Sequence, residues 1–402
     1  MQLYDIIIAG GGVSGICAAV AAARSGASAL VLEQTNCLGG TWTSGLVSWM
    51  LDINNKKGFI LNEIIGSLQS EQNGRFARGG SFIFESEAMK RLLDKMAERE
   101  NIDLRFQTFV CGVGKTDNHI NYVEAVSKSG LERFFGKCFI DSTGDGDLCA
   151  LAGAEFETGN EQGIMQPMSM FAIVDGLDKD ELCEFDNSLE YEDENNTPKD
   201  KLYSEIKRAG VSCSQQQPAL YYLSNNRFLL TANHQYKVSG TSSGDLTRAT
   251  LSARREIGEV VNSLRRLGGR WKNIRLVSTA PSIGVREGRR IKGEYTVTAE
   301  DIYAERKFDD SICDVSFVID VHALEKENEK GYDDYGDDTE RDYQIPLRSA
   351  ICKGFDNLYM TGRCISGDFS AHGSYRVTGN AAVIGENVGK AAAKSLKKIS
   401  GD

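Results

Sequence analysis

Near the C-terminus, the stretch GDFSAHGSYRVTGNAAVIG (residues 367–385) gathers His372, Tyr375 and Arg376 just ahead of a run that reads as a helix. Histidine titrates near neutrality, so His372 could take or give a proton. Arg376 could clamp a carboxylate through paired N–H donors. Arg286, in GVREGRR, is a second cation of the same kind. Each has a bland alternative: His372 as a histidine that only holds a loop, and Arg286 as an arginine on a surface strand.

The elements that would position them start at the other end of the chain. Residues 4–9 are a short isoleucine-rich run, as suits a buried parallel strand. Gly10, Gly12 and Gly15 follow in G-x-G-x-x-G, then small residues to Arg24 with Gly26 as the stop of a helix. A second strand, 28–32, ends at Glu33, which lies 23 residues beyond Gly10. Gly10 permits a tight turn, Gly12 a close approach of backbone N–H groups to a pyrophosphate, and Gly15 close helix–strand packing. The phosphates would sit at the positive end of the helix, and Glu33 would meet a ribose hydroxyl. Strand, glycines, small-residue helix, strand and acid, in that order, are far more specific than the glycines alone.

EQTNCLGGTWTSG adds a double glycine soon after Glu33. The chain resembles the glutathione-reductase-like superfamily of FAD proteins. Within it, the chain is most similar to the FAD-dependent oxidoreductase family, whose members share the N-terminal fingerprint, a GG-x-x-x-SG continuation and a C-terminal GR-x-x-S…GS-x-R segment. Here these are Gly39-Gly40-Thr41-Trp42-Thr43-Ser44-Gly45, Gly362-Arg363-Cys364-Ile365-Ser366 and Gly373-Ser374-Tyr375-Arg376. The likeness also takes in 280–298 and is weak from about 156 to 270.

The resemblance implies an α/β fold with FAD as cofactor. It is a Rossmann-like FAD-binding domain of the glutathione-reductase type, interrupted by a mixed α+β substrate domain. The expected boundaries are 1–155 and 345–402 for the FAD domain and 156–344 for the insertion. The implied FAD contacts begin with Gly10, Gly12, Val13, Ser14, Gly15, Glu33 and Gln34, followed by Gly39, Gly40, Thr41 and Ser44. Val110 would pass the adenine. Thr143, Gly144 and Asp145 would return the chain to the cofactor, although Asp145 could instead cap an ordinary helix. Gly362 and Arg363 follow a last strand at 358–361, with Arg363 reaching phosphate. Thr378, Gly379, Asn380 and Ala381 open the last helix, whose N-terminus would face the flavin and stabilise its reduced, anionic form. Residues 370–380 would then wall flavin from substrate, which makes His372, Tyr375, Arg376 and Arg286 the catalytic candidates. GDFSAH echoes the GD-x-x-H turn of flavin aromatic hydroxylases. It is out of register, since the strand ends at Gly362, and so carries no implication of hydroxylation.

The rest of the sequence narrows the class. Its 402 residues suggest two or three domains, and 41% hydrophobic residues are enough for a large core. A net charge of −11 argues against nucleic acid and anionic membranes as partners. The ten cysteines form no C-x-x-C, so iron–sulfur and zinc sites lack support and a reduced, cytoplasmic compartment is expected. Residues 6–23 are uncharged, but glycines break them and no Lys or Arg precedes them, unlike a signal peptide or membrane helix. No second G-x-G-x-x-G and no C-x-x-x-x-C occurs, so a dedicated NAD(P)H domain and a disulfide-reductase centre are not expected. Cys37 reads as a small buried hydrophobe.

In the middle of the chain, 85–99 reads as an amphipathic helix with Met89, Leu92, Leu93 and Met96 on one face. Strands are expected at 168–174, 219–223, 228–231, 274–278 and 315–321, and a long helix at 245–267. Acidic stretches at 190–195 and 332–342 lack calcium-loop spacing and read as solvated surface. The expected activity is hydride transfer between a small polar organic substrate and flavin N5, with the electron donor or acceptor open. The rival readings are C=C reduction and a flavin-bearing electron-transfer component.

Overall fold

The computed structural model describes residues 2–54, 58–326 and 335–400, so part of the second acidic stretch, 332–334, lies outside the described residues. Strand β1 (Leu3–Ala9) leads into helix α1 (Val13–Arg24) and strand β2 (Ala29–Leu32). Ile6, Ile7 and Ile8 are all fully buried, as a strand covered on both faces requires. A small antiparallel sheet of β3 (Trp49–Met50), β4 (Gly74–Phe76) and β5 (Phe82–Phe84) follows, with α2 (Phe59–Ser70) between its strands. Helix α3 (Ser86–Arg99) buries Met89, Leu93 and Met96 and leaves Leu92 half-buried.

The chain then returns to the main sheet through β6 (Asp103–Arg105), β7 (Phe109–Thr116), β8 (His119–Ser127) and β9 (Gly130–Asp141). The long β9 pairs with three strands. Its first half closes an antiparallel meander with β8 and β7. Its second half lies between β1 and β18 (Leu358–Met360), parallel to both. Five strands, in the order β6-β2-β1-β9-β18, are thus parallel. This is the Rossmann-like arrangement expected from the first thirty residues, and the strands' carboxyl ends share one edge.

Short helix α4 (Asp147–Ala152) and strand β10 (Phe156–Glu157) leave that edge. Strand β11 (Phe171–Asp175) begins a second, antiparallel sheet in the order β12-β13-β11-β14, from β12 (Ala219–Tyr222), β13 (Phe228–Thr231) and β14 (Arg275–Thr279). Helices α5 (Pro198–Arg208) and α6 (Ser243–Leu267) pack with it. The apolar side chains of 168–283 form a core of their own, joined by Leu46 and Ile83. Strand β15 (Arg290–Ile291) pairs with β10, and helix α7 (Ala299–Tyr303) precedes the antiparallel pair β16 (Ser311–Ser316) and β17 (Asp342–Pro346). The buried residues of 291–352 join the first core, that of the parallel sheet.

Helices α8 (Phe369–Tyr375) and α9 (Thr378–Ser400) end the chain. Helix α9 packs on α1 through glycine. A Cβ at Gly385 would stand 2.2 Å from the Ser14 carbonyl oxygen, and one at Gly389 2.2 Å from that of Ala18. The interaxial distance is set by the side chains at the contact, so these glycines let the two helices approach closely. Gly385 lies about two turns inside α9 and meets the first turn of α1, so the start of α9 extends beyond the N-terminus of α1 on the side of the cleft.

Two expected strands end differently. The 168–174 strand starts at Phe171, because Met168 and Ser169 make single bridges to Gln235 and Gly284. The 315–321 strand runs instead from Ser311 to Ser316, and beyond that break Ile319 makes a single antiparallel bridge to Asp337. Asp320 lies just past that bridge, and its hydrogen-bond partners lie in the cleft described next.

Candidate functional site

A cleft of about 740 Å³ runs from the carboxyl edge of the parallel sheet to the second sheet. At the sheet edge Gly10 has a φ of +95°, and a Cβ there would lie 2.5 Å from the Ser142 carbonyl oxygen. A Cβ on Gly15 would stand 2.0 Å from the carbonyl oxygen of Gly10. These two glycines are needed for packing. Gly12 differs, since its Cβ would meet nothing closer than the Gly40 Cα at 3.9 Å, and it faces the cleft. Helix α1 has no side-chain cap there, so its first N–H groups remain available beside Val13 and Ser14. The double-glycine segment lies across this turn: Gly39 N–H donates to the Gly11 carbonyl at 2.8 Å, and Gly12 bridges Gly39. Gly40, Thr41 and Ser44 line the cleft, while Gly39 packs on Leu93 and Thr43 behind it.

Glu33 is buried at the end of β2. Its carboxylate accepts from Gly11 N–H at 2.6 Å and Thr35 N–H at 2.7 Å. It therefore holds the glycine turn while lining the cleft with Gln34, and Val110 lines the same end. On the neighbouring strand Asp141, fully buried, shapes the second turn. It accepts from Thr143 N–H and Oγ1 and from Cys149 N–H, at 3.0, 2.7 and 2.8 Å. Burial raises its pKa despite those bonds. Thr143, Gly144 and Asp145 line the cleft. Asp145 does not cap α4, whose N-cap is Gly146; it pairs with Arg363 Nη2 at 2.7 Å. Gly362 and Arg363 line the cleft from β18, as do Thr378 and Ala381 from α9. Gly379 lies against the carbonyls of Leu51 and Asp52, and Asn380 is buried against Cys313.

These residues fit a dinucleotide. An open glycine faces an uncapped helix N-terminus, a carboxylate stands at the end of the second strand, and two groups of cleft-lining residues, Thr378 Oγ1 and Arg363 Nε, are buried without protein partners. Buried donors of this kind are stabilised by a polar ligand.

At the other end the cleft is charged. Arg376, between α8 and α9, donates from Nη2 to the Asp320 carbonyl at 2.9 Å and carboxylate at 3.1 Å. His322 Nε2 stands 3.5 Å from the same carboxylate. Arg286 donates from Nη1 to the Pro167 carbonyl at 2.6 Å and to Ser169 Oγ at 2.8 Å. Its Nη2 meets His234 Nε2 at 3.3 Å, and His234 Nδ1 meets Tyr236 Oη at 3.2 Å. A guanidinium can only donate, so His234 is neutral and carries its proton on Nδ1. The His234 and His322 rings lie edge to face, 5.1 Å apart. Burial, then the Arg286 charge, lowers His322 to about 4 and takes His234 well below the usual imidazole range. Burial and Arg376 lower Arg286 to about 9. For Asp320, the opposing charges outweigh burial and hold the carboxyl well below its usual range; His322 contributes most and the two arginines follow.

The structure thus brings together Arg286 and Arg376 but not His372 and Tyr375. The latter two lie in α8, at most 1% exposed, and do not line the cleft. Tyr375 Oη donates to the Ile365 carbonyl at 3.1 Å. Burial, with the charges of Arg290, Arg376 and Arg363, drives the His372 pKa well down. Asp320, His322, His234 and Lys199 escaped the sequence reading. A signal was present in D-V-H at 320–322, since the chain has only 4 histidines.

Comparison with known proteins agrees with the cofactor end. The sequence profile of the FAD dependent oxidoreductase family matches residues 5–400. No curated protein matches the chain. Among solved structures, a geranylgeranyl bacteriochlorophyll reductase-like protein from Thermoplasma acidophilum is similar over 100% of this chain and 79% of its own, at 13% identity and a TM-score of 0.51. A triple mutant of the flavin-dependent brominase Bmp2 is similar over 99% of this chain and 81% of its own, at 11% identity and a TM-score of 0.53. At such identities the likeness is one of fold. Among the described residues, no helix is long and apolar enough to cross a membrane. The profile match spans nearly the whole chain and agrees with the glycine cradle: the protein belongs to the FAD dependent oxidoreductase family, and its cofactor is FAD.

Proposed function

We propose that this enzyme moves hydride between N5 of its flavin and a carbon of a small polar organic substrate. The observation that carries the reading is the continuity of one cleft, with the dinucleotide cradle at one end and Arg286, Arg376, Asp320 and His322 at the other. When bound, FAD supplies the acceptor or donor of hydride. Residues 1–155 and 345–402 hold it, and 156–344 supply the substrate wall, chiefly through the second sheet and the 317–322 segment.

The chain's own groups then have distinct tasks. Oxidation of an alcohol or amine carbon also releases a proton from oxygen or nitrogen, which a positioned side chain can accept. His322 suits this task. It lines the cleft, is neutral at pH 7 and is backed by Asp320, whose carboxylate stabilises the imidazolium once formed. Arg376 fixes Asp320 and borders the last helix where the two ends of the cleft meet. His372 and Tyr375 act as positioning residues in α8, holding the backbone that presents Arg376.

Anaerobic mixing of FAD-loaded protein with alcohols, amines and 2-hydroxy acids tests the reading. One class should bleach the flavin's long-wavelength absorbance, more slowly when the donor carbon carries deuterium. Protein that dithionite bleaches but none of these classes does would remove the reading.

A further inference from the structure

Among the described residues, the substrate end of the cleft holds more positive charge than the carboxylate paired with it there neutralises. Arg286, Arg376 and Lys199 all line it. Arg376 is paired with Asp320. Arg286 is not paired with a carboxylate: its hydrogen bonds go to a carbonyl, a hydroxyl and an imidazole. Among the described residues, Lys199 Nζ hydrogen-bonds the amide oxygen of Gln217 at 3.5 Å, with Asp320 and Asp200 as the carboxylates that attract it. The other carboxylate at this end, Asp338, is exposed. Asp320 attracts Arg286 and Lys199 as well as Arg376, so the three cations share this carboxylate, and an anion placed beside them supplies the counter-charge that it cannot give to all three. The strain shows in the groups themselves. Burial lowers the pKa of Lys199, and burial with Arg376 lowers that of Arg286. Two buried donors here also lack protein partners, Arg376 Nε and Gln166 Nε2.

We propose that this end of the cleft is a carboxylate-binding site formed by Arg286, Arg376 and Lys199, so that the substrate is a small organic acid. The inference rests on the hydride-transfer reading and names its substrate class. Guanidinium groups match a carboxylate in a planar, two-donor geometry, and the ammonium adds a point charge. The opposite wall is apolar, from Tyr221, Leu229, Ile283 and Phe317, and suits the carbon skeleton. The cations do not belong to the phosphate cradle. Arg286 and Lys199 come from the segments of the second sheet, whereas the cradle is built by the glycine turns of the first.

Acetate, succinate and benzoate, each against its amide, test the site on the FAD-loaded protein. Calorimetric affinity and the shift in the bound flavin's visible spectrum are the readouts. At least one acid should bind about tenfold or more tighter than its amide, as loss of a charge-assisted hydrogen bond implies. Arg286→Gln should abolish that preference with FAD content unchanged, and Arg286→Lys should keep part of it. Amides that bind as well as every acid, or a preference that survives in both Arg286→Gln and Lys199→Gln, would overturn the site. The two readings fail separately. Acids that bind as stated while no donor reduces the flavin would sink hydride transfer and leave the site standing. Reduction by donors without a carboxylate, with no acid bound, would do the reverse.

Discussion

The two ends of the cleft are built differently. The cofactor end is assembled mainly from backbone turns: Gly10 to Gly15, Glu33, Gly39 and Gly40, with returns at Thr143 to Asp145, at Gly362 and Arg363, and at Thr378, and Arg363 meets Asp145 across 218 residues. The substrate end is assembled from charged side chains. Arg376 meets Asp320 across 56 residues, and Arg286 meets His234 across 52. A phosphate cradle needs backbone N–H groups at fixed spacing, which local sequence dictates. A charged substrate pocket needs side chains of a given sign in one place, and any fold that delivers them will serve. The first end therefore depends on a few irreplaceable glycines, and the second on coupled charges.

The largest expected effect tests the cofactor end. A valine at Gly12 meets little protein, since the nearest atom to its Cβ is 3.9 Å away, yet it fills the place of the pyrophosphate. Gly12→Val should fold and lose FAD altogether, read as an unchanged circular dichroism spectrum with no bound flavin. Gly10→Ala makes the contrast: its Cβ would strike backbone at 2.5 Å in a left-handed conformation, so folded protein itself should be lost. Normal flavin content in Gly12→Val would place the phosphates elsewhere.

The substrate end should respond in rate while keeping its cofactor. His322→Asn removes the proposed proton acceptor, and a positioned base contributes about 10²- to 10⁴-fold. Flavin reduction should slow by that factor with FAD retained. Arg376→Leu should cost stability as well, because it removes the donor to both the carbonyl and the carboxylate of Asp320; for this part-buried pair the loss should be about 1–3 kcal/mol. A His322→Asn enzyme reduced at the normal rate would remove His322 from the chemistry.

The same contrast explains what could be read from the sequence. The parallel strands, the glycine turns and Glu33 were legible because each follows from types at fixed spacing. Strand β13 (Phe228–Thr231) matched to the residue, since an apolar run bounded by polar residues has clear ends. Arg286 and Arg376 were legible as cations near glycine-rich turns, but not as neighbours. Asp320 was read as part of a 315–321 strand, and His322 just beyond it was not singled out. The ladder ends at Ser316, and the Asp320 carboxylate is met by Arg376, 56 residues further along the chain, which no local pattern announces. His372 was misplaced on the wall because 370–376 reads as a loop at the mouth of the last helix. In fact Asp368 accepts from Ala371 N–H and caps a separate helix, and that turns His372 inward.

Acid should destabilise the protein through its histidines. His322, His234 and His372 all have folded pKa values below the unfolded imidazole's, mainly by burial. Below about pH 6.5 the unfolded chain binds protons that the folded chain refuses, so stability falls with pH. For His322 the loss runs from about 6.5 down to about 4, where the folded ring also titrates. Asp320 is shifted in the same direction, and the stability it contributes as a depressed carboxylate is lost only at lower pH, below the unfolded carboxylate's pKa. Melting temperature measured from pH 7 to pH 4 should fall steadily, with flavin release at the end. A flat profile over that interval would mean that the folded rings take up protons as the unfolded chain does.

The smallest effect is expected at His372, and it separates a wall from its support. The ring is fully buried, lies 5.6 Å from that of Tyr375 and does not line the cleft. A group that touches neither substrate nor cofactor cannot accept the substrate's proton, but it can hold α8 at the angle that carries Arg376. His372→Asn should therefore lower the rate of flavin reduction less than tenfold, well short of the loss of a general base. It should leave the pH profile of reduction unchanged in shape. It should also flatten the acid limb of the melting curve, because one ring that resists protonation has gone. That pairing is the sharp part. A merely destabilising change would lower melting at every pH, whereas loss of a neutral buried histidine acts most below about pH 6.5. If instead the variant loses a limb of its rate profile and keeps the acid limb of its melting curve, His372 belongs to the chemistry. The wall between flavin and substrate would then include α8.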